Sequence, residues 1–358
     1  MINVTQSFLP PIQEFEAILK RAWDKKWITN RGELLLELEA ELATYLGVSN
    51  FFITTNGTLP LQIALKTLGI TKEVITTPFS YVATTSAIIW ENCTPVFVDI
   101  ERDMLTIDPA KLETAITENT QAILATHVFG NPCDVEAIQE IAEKHNLKVI
   151  YDAAHCFAVT YKGKSIFEYG DVISTSFHAT KLFHTGEGGA IFVPNDALYK
   201  KCYYHHNFGH NGPLDYHGLG VNAKASEMQA AMGLSVLPYI DTIIAKRKLL
   251  TETYETLLKD NPHLSLFEFR EFAEKNYSYM PVIFKDEAHM HIVLEKLAAV
   301  QIFPRRYFYP SLNKLPYLDK SVSMPISEDI CSKILCLPLY FELEKQQVVE
   351  ICSIINSL

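Results

Sequence analysis

Three kinds of chemically useful residue stand at informative spacing in the middle of this 358-residue chain. Asp152 closes the apolar run Lys-Val-Ile-Tyr, where a carboxylate is costly to bury unless it is paired. Ser176 and Lys181 lie in STSFHATKLFHTGEGG, the lysine five residues after the serine and 29 after the aspartate. Asn56-Gly57-Thr58 separates a short apolar run from a helical one, and N–H groups at such a turn can hold a phosphate. Each has an ordinary reading. Asp152 can cap the next helix, Lys181 can be a solvated amine, and many strand-to-helix turns carry glycine and threonine. Taken together they are more specific. A partly desolvated lysine loses its proton more easily and becomes a nucleophile toward an aldehyde. An aspartate for a protonated ring nitrogen, a phosphate turn and a downstream lysine make up a pyridoxal phosphate site.

Such residues need elements that deliver them to one place. ELLLELEAELATYLG (33–47) has leucines at helical spacing and a plausible C-cap at Gly47. FFITTNGTLPLQIALKTLG and EVITTPFSYVATTSAIIW each read as strand, turn and helix. TPVFVDI, QAILATHVFG, LKVIYDAAH, DVISTSF and GAIFV read as further strands, and residues 134–146 as an amphipathic helix. Strands alternating with helices predict a mostly parallel sheet covered on both faces, with ligands outside the carboxyl ends of its strands. Asn56 to Thr58, Tyr81, His127, Asp152, His155, Ser176 and Lys181 all fall at those ends. From about residue 236 the pattern changes to a long helical stretch, a strand-like YSYMPVIF and two further helices. This predicts a large α/β domain over 1–235 and a small α+β domain over 236–358 that includes the linking helix.

Composition narrows the function classes. A formal net charge of −11 offers no basic footprint for nucleic acid, and no basic run suggests a membrane surface. Neither G-x-G-x-x-G nor G-x-x-x-x-G-K-[ST] is present, against a dinucleotide or nucleoside triphosphate site. The seven cysteines include no C-x-x-C pair, so reduced thiols are expected rather than disulfides, a metal or an iron–sulfur centre. The N-terminus lacks the features of a signal peptide and no apolar run reaches about 18 residues, so a cytoplasmic protein is expected.

In its ordered motifs the chain resembles the DegT/DnrJ/EryC1/StrS nucleotide-sugar aminotransferases, which are pyridoxal phosphate enzymes of fold type I, the aspartate aminotransferase-like fold. The likeness runs through WITNRGELLLELEAELATYLGV, TTNGTLPLQIAL, TTPFSYVATTSAI, VIYDAAHCFAVTYKGKSI, SFHATKLFHTGEGGAI, GLGVNAKASEMQAAMGL, RRYFYPSL and ILCLPLYFEL. The resemblance implies that Lys181 bonds covalently to the cofactor and shuttles the proton. It implies that Asp152 holds the ring nitrogen, His155 the phenolic oxygen, and that Ala154 and Tyr81 flank the ring. Gly57, Thr58 and Ser176 match phosphate contacts, and Asn222 matches an asparagine that reaches the phosphate of a neighbouring subunit, which implies a homodimer. A core histidine at 155, a buried aromatic at 81, and caps at 176 and 222 are the plain alternatives. The lysine at 181, where sugar dehydratases of the group carry histidine, favours amino transfer, as does the absence of clustered cysteines.

The S-F-H-x-x-K…E-G-G pattern resembles relatives that aminate a 4-keto sugar; those acting at C3 show S-F-Y-P-x-K-N-L-G and D-G-G instead. The resemblance therefore implies amination of dTDP-4-keto-6-deoxy-D-glucose to dTDP-4-amino-4,6-dideoxyglucose for a surface polysaccharide, with L-glutamate giving 2-oxoglutarate. Amination at C3, and a UDP- or GDP-linked substrate, are the near alternatives. A catalytically silent pyridoxal phosphate-binding regulatory protein is the remote one. His178, Glu187, Arg305, Arg306 and Tyr307 are the candidate substrate contacts. Arginine can grip a carboxylate or diphosphate through paired N–H bonds, although the same residues serve equally as surface charges.

Overall fold

The computed structural model describes residues 1–318 and 322–358. Its centre is a seven-stranded sheet: β1 (Phe51–Thr54), β2 (Glu73–Thr76), β3 (Thr94–Phe97), β4 (Thr120–Thr126), β5 (Lys148–Asp152), β6 (Val172–Ser176) and β7 (Gly189–Phe192). The spatial order is β1-β7-β6-β5-β4-β2-β3. Strand β7 runs antiparallel to both neighbours, and the remaining pairings are parallel. β1, β4, β5 and β6 are buried along most of their length, as expected for strands covered on both faces. Their register aligns one edge of the sheet. Thr126 pairs with Asp152, Asp152 with Ser174, and Gly189 with both Ser176 and Thr54.

Helices α1 (Ile12–Lys25), α2 (Glu33–Leu46), α3 (Leu59–Thr67), α4 (Val82–Trp90), α5 (Val135–His145), α6 (Asp196–His206) and α7 (Glu227–Val236) accompany this sheet. The leucine spacing of α2 buries Leu34, Leu35, Leu38, Leu42 and Leu46, and Gly47 ends the helix in the left-handed conformation. No side chain of its own caps its start. The buried Glu227 carboxylate of α7 accepts instead from Gly32 N at 3.0 Å, Leu34 N at 2.8 Å and Leu35 N at 3.4 Å. This joins α2 to α7 across 193 residues of sequence.

The second core uses α8 (Ile240–Leu258), β8 (Leu264–Leu266), β9 (Met280–Phe284), α9 (Glu287–Ala299), α10 (Pro325–Lys333), β10 (Ile334–Leu337) and α11 (Lys345–Asn356). Strands β8, β9 and β10 form an antiparallel sheet in that order. We propose 1–235 and 236–358 as the two units, joined by α8. Ile240 and Ile243 of that helix pack in the large core, and Leu250, Tyr254 and Leu258 in the small one. The N-terminus crosses over: Ile2–Asn3 pairs with Ile302–Phe303, and Ile2 is buried in the small core. The helical run Glu227–Leu258 is long and apolar enough to cross a membrane by length and composition alone. Half of its most apolar window is nevertheless buried in the fold, where α7 packs on α1 and α2, and α8 on α11.

Glu227→Ala should unfold more easily by about 3 kcal/mol, because it strands buried amides that now bond to a carboxylate. Glu227→Gln, which keeps one acceptor oxygen, should lose less. Urea midpoints measure both, and a loss below about 1 kcal/mol for the alanine would refute the cap.

Candidate active site

Asp152 ends β5 and is 5% exposed. Its Oδ1 accepts from Ala154 N at 3.1 Å and its Oδ2 from the Thr84 hydroxyl at 2.7 Å. Behind Thr84, Ser80 lies at 2.7 Å and accepts in turn from Thr126 at 2.9 Å. A file of buried hydroxyls thus leads from β4 through the start of α4 to the carboxylate. Burial pushes the Asp152 pKa up, against these hydrogen bonds and the Lys181 charge. Among the described residues no cation lies within ion-pair distance of it. A protonated ring nitrogen is the partner this carboxylate lacks, so the residue fits the group expected there.

Lys181 follows β6 in a tight turn where Phe177 N bonds Gly188 O, Ala179 N bonds Gly186 O and Lys181 N bonds His178 O. Its side chain is half-buried, and Nζ donates to the Tyr279 hydroxyl at 3.2 Å. Desolvation lowers its pKa, while the Asp152 charge works the other way. A partly desolvated amine of lowered pKa without a bonded carboxylate suits nucleophilic work. The crevice beside it is lined by Ala154, His155, Ser176, Thr180, Lys181 and Tyr279. His155 Nδ1 accepts from Phe129 N at 3.0 Å, so in the neutral ring the proton sits on Nε2, a donor. Burial keeps that ring neutral, its pKa well below the ordinary histidine value, and the Lys181 charge adds to the effect. The His155 ring lies nearly parallel to those of Phe129 and Phe308, with centroids 6.1 and 5.9 Å away.

The turn at 56–58 presses on the same strands. Ser174 Oγ donates to Gly57 O at 2.9 Å. A Cβ on Gly57 would stand 2.9 Å from Ser176 Cβ, and one on Gly189 2.5 Å from Asn56 O, so both positions require glycine. Asn56 Oδ1 accepts from Thr58 N and Leu59 N, both at 2.9 Å, and thereby caps α3. Two amides that the sequence left free for phosphate are thus engaged by the side chain of the same turn. Ser176 Oγ accepts from His178 N at 3.3 Å.

Tyr81 precedes α4 and is 56% exposed, rather than a buried core aromatic. Asn222 is exposed on a segment that folds against the end of β1, where Thr55 N bonds Ala223 O at 2.8 Å. His178 Nε2 and Glu187 Oε1 lie 3.6 Å apart at the exposed rim. Tyr307 lines a crevice with Thr180, Ser278 and Tyr279. The Arg305 guanidinium sits 4.8 Å over the Tyr307 ring, and among the described residues it has no carboxylate partner. Arg306 is not brought to this group. It bonds Glu287 at 3.0 Å and the Ser332 carbonyl at 2.8 Å, and lies 3.6 Å over Tyr309. It therefore serves the end of α10. His127 is also turned away, stacked on Tyr151 with Nδ1 accepting from Cys133 N, and burial drives its pKa down to about 3.

Sequence reasoning missed Thr84, Tyr279 and Asn276. Thr84 carries a signal, since it lies one helical turn after Tyr81 on the helix that faces the strand ends. Tyr279 and Asn276 come from the C-terminal unit, and no spacing rule links them to Lys181.

A family model described as the DegT/DnrJ/EryC1/StrS aminotransferase family matches residues 12–356. A dTDP-4-amino-4,6-dideoxy-D-glucose transaminase of Escherichia coli is 41% identical over 99% of this chain and 98% of its own. A GDP-perosamine synthase of Escherichia coli O157:H7 is 30% identical over 93% of this chain and 92% of its own. Among solved structures, DesI in the presence of its TDP-sugar product superposes with a TM-score of 0.94 at 30% identity, covering 99% of this chain and 92% of that one.

The raised pKa of Asp152 gives cofactor-free protein a pH dependence of known sign. The folded pKa exceeds the unfolded value of about 3.9, so this contribution is full below that pH and is lost as pH rises through the folded pKa. Relative to wild type, Asp152→Asn should gain stability over that rise, read as urea midpoints from mildly acidic to neutral pH. Parallel curves would show that the carboxylate is not destabilised by burial.

Proposed function

The chain belongs to the DegT/DnrJ/EryC1/StrS aminotransferase family, and from that premise we propose that it aminates C4 of dTDP-4-keto-6-deoxy-D-glucose, using L-glutamate. Aminotransferases of this family depend on pyridoxal phosphate, and the fold is that of fold type I sugar aminotransferases. The observation that carries the reading is the pairing of a buried, cation-free Asp152 with a half-buried, carboxylate-free Lys181 at one edge of one sheet. The identity to the transaminase over nearly the whole chain supports the sugar.

When bound, pyridoxal phosphate supplies an electron-accepting ring that carries the amino group from donor to acceptor. Asp152 holds a proton on the ring nitrogen, and the Thr84 hydroxyl keeps the carboxylate oriented for it. His155 donates its Nε2 proton to the phenolic oxygen. Ala154 and Tyr81 would flank the ring, while the Gly57 amide and the Thr58 and Ser176 hydroxyls would take the phosphate, the Thr58 amide being held by Asn56. Lys181 removes a proton from the donor carbon as a neutral amine and returns one during the sugar half of the cycle. His178, Glu187, Arg305 and Tyr307 face the substrates, and the unpaired Arg305 suits a donor carboxylate or a sugar diphosphate. A homodimer with Asn222 contributed across the interface belongs to the same reading. Phe208, Leu214, Tyr216, Leu219 and Val221 are exposed beside it, an apolar surface of the kind a partner subunit covers. All seven cysteines are free and buried, in keeping with a reducing cytoplasm.

Protein mixed with pyridoxal phosphate should gain a visible absorbance band that borohydride abolishes, and Lys181→Ala should lack it, with turnover reduced by about 10³-fold or more. With the dTDP-4-keto sugar and glutamate, product NMR should place nitrogen on C4. Nitrogen on C3 would refute the regiochemistry, and a wild type that never takes up the cofactor would refute the function.

A further inference from the structure

The hydrogen bond made by the Lys181 amine comes from outside the large sheet. Tyr279 stands immediately before β9 of the C-terminal unit, and its hydroxyl meets Nζ at 3.2 Å. The segment that carries it is anchored on both sides. Asn276, 1% exposed, donates from Nδ2 to His155 O and Phe157 O, both at 2.8 Å, and its Oδ1 accepts from Ser278 N at 3.1 Å. Arg247 of α8, 4% exposed, donates to Ser278 O at 3.1 Å. The Tyr279 ring is confined by His155 at 4.6 Å, Phe129 at 5.4 Å and Tyr307 at 5.7 Å. A tyrosine that only filled space would not need its hydroxyl aimed at the one amine in the crevice.

We propose that Tyr279 is the positioning partner of the Lys181 amine: its hydroxyl accepts from Nζ whenever that amine is free of the cofactor, leaving the nitrogen lone pair aimed at the substrate carbon. This rests on Lys181 being the lysine that bonds the cofactor. Tyr279 forms and breaks no covalent bond and gives up no proton. Burial pushes its phenol above the ordinary range, so it stays neutral through the working pH range. The titratable groups around Nζ are Asp152 at the end of β5, His155 and Cys156 after it, Tyr81 before α4, and Tyr279 and Tyr307 from the C-terminal unit. Of these, Tyr279 alone has a hydrogen bond to it among the described residues.

The test uses the full chain with and without cofactor. Cofactor-free wild type and Tyr279→Phe are mixed with pyridoxal phosphate across pH, and the rate of Lys181 capture is followed by absorbance. Loss of the only bonded partner disfavours the ammonium, so the inflection in the variant should move to lower pH by about one unit. In the loaded enzyme, a single half-reaction with glutamate deuterated at Cα should slow by about 10- to 100-fold, with a larger isotope effect and little change in KM. Tyr279→Met serves if the phenylalanine variant does not keep the wild-type circular dichroism. An unchanged inflection and half-reaction rate in either folded variant overturns the inference while the function stands. A wild type whose absorbance band survives in Lys181→Ala overturns both.

Discussion

The buried carboxylate of Asp152 is the constraint from which the rest of the site follows. An ionised group at the end of a covered strand is tolerable only with donors in place, and the fold supplies two from the chain itself. Both depend on topology. Ala154 N is available because the chain turns directly after β5, and Thr84 is available because α4 begins beside that turn. The hydroxyls of Ser80 and Thr126 extend the arrangement to β4, so the carboxylate is positioned by three segments far apart in sequence. Two donors reduce the cost of burial without removing it, as the upward pKa direction shows. The remaining demand for a positive partner is one that the proposed protonated heterocycle would meet.

Lys181 has the opposite requirement. In the proposed role it must be neutral often enough to act as a base, which calls for desolvation without a bonded carboxylate. The turn 177–188 achieves this by closing on itself through backbone bonds and by burying Phe177 and Phe183 against Phe157. Asp152 is near enough to influence the lysine electrostatically and is already occupied by its own donors. The two groups therefore lie within electrostatic reach without an ion pair between them, which is the condition for using both. The C-terminal unit takes part through Asn276, which bonds the backbone directly after His155. Docking of the second unit and the shape of the site are consequently one structural event.

The large sheet was legible in the sequence because its strands are short apolar runs bounded by clear turns. All seven strands named from the pattern form the central sheet, and the helix expected over 134–146 is α5, capped by Asp134 and ended at Asn146. The candidate cluster was read from the same pattern, since strand ends in such a sheet converge, and the structure brings Asp152, His155, Ser176 and Lys181 near one another there. Three features were not. Helix α1 has a strong amphipathic face in a stretch without strand neighbours to frame it, and α6 is rich in polar and aromatic residues without a clear apolar stripe. The entry of Ile2 into the C-terminal core is a long-range pairing of two residues, too short for any periodicity to register. Arg306 was misplaced because an arginine beside a tyrosine has the same appearance whether it serves a ligand or the carbonyls at a helix end.

The distribution of burial divides the site by task. Of the groups proposed for the cofactor, Asp152 and His155 are buried and Ala154 and Lys181 half-buried within a single chain, and their positions are set by the fold. Groups assigned to the sugar, His178 and Glu187, lie at an exposed rim and hold each other only across 3.6 Å. An exposed pair of this kind contributes little to stability, so its side chains can change without cost to the fold. Regiochemistry depends on where the sugar ring is held relative to the Lys181 amine, and the enclosed groups are the same for any carbon that is presented. Under the proposed function the choice of carbon therefore falls to the rim and the Arg305–Tyr307 wall, and not to the carboxylate and lysine, which serve any carbon alike.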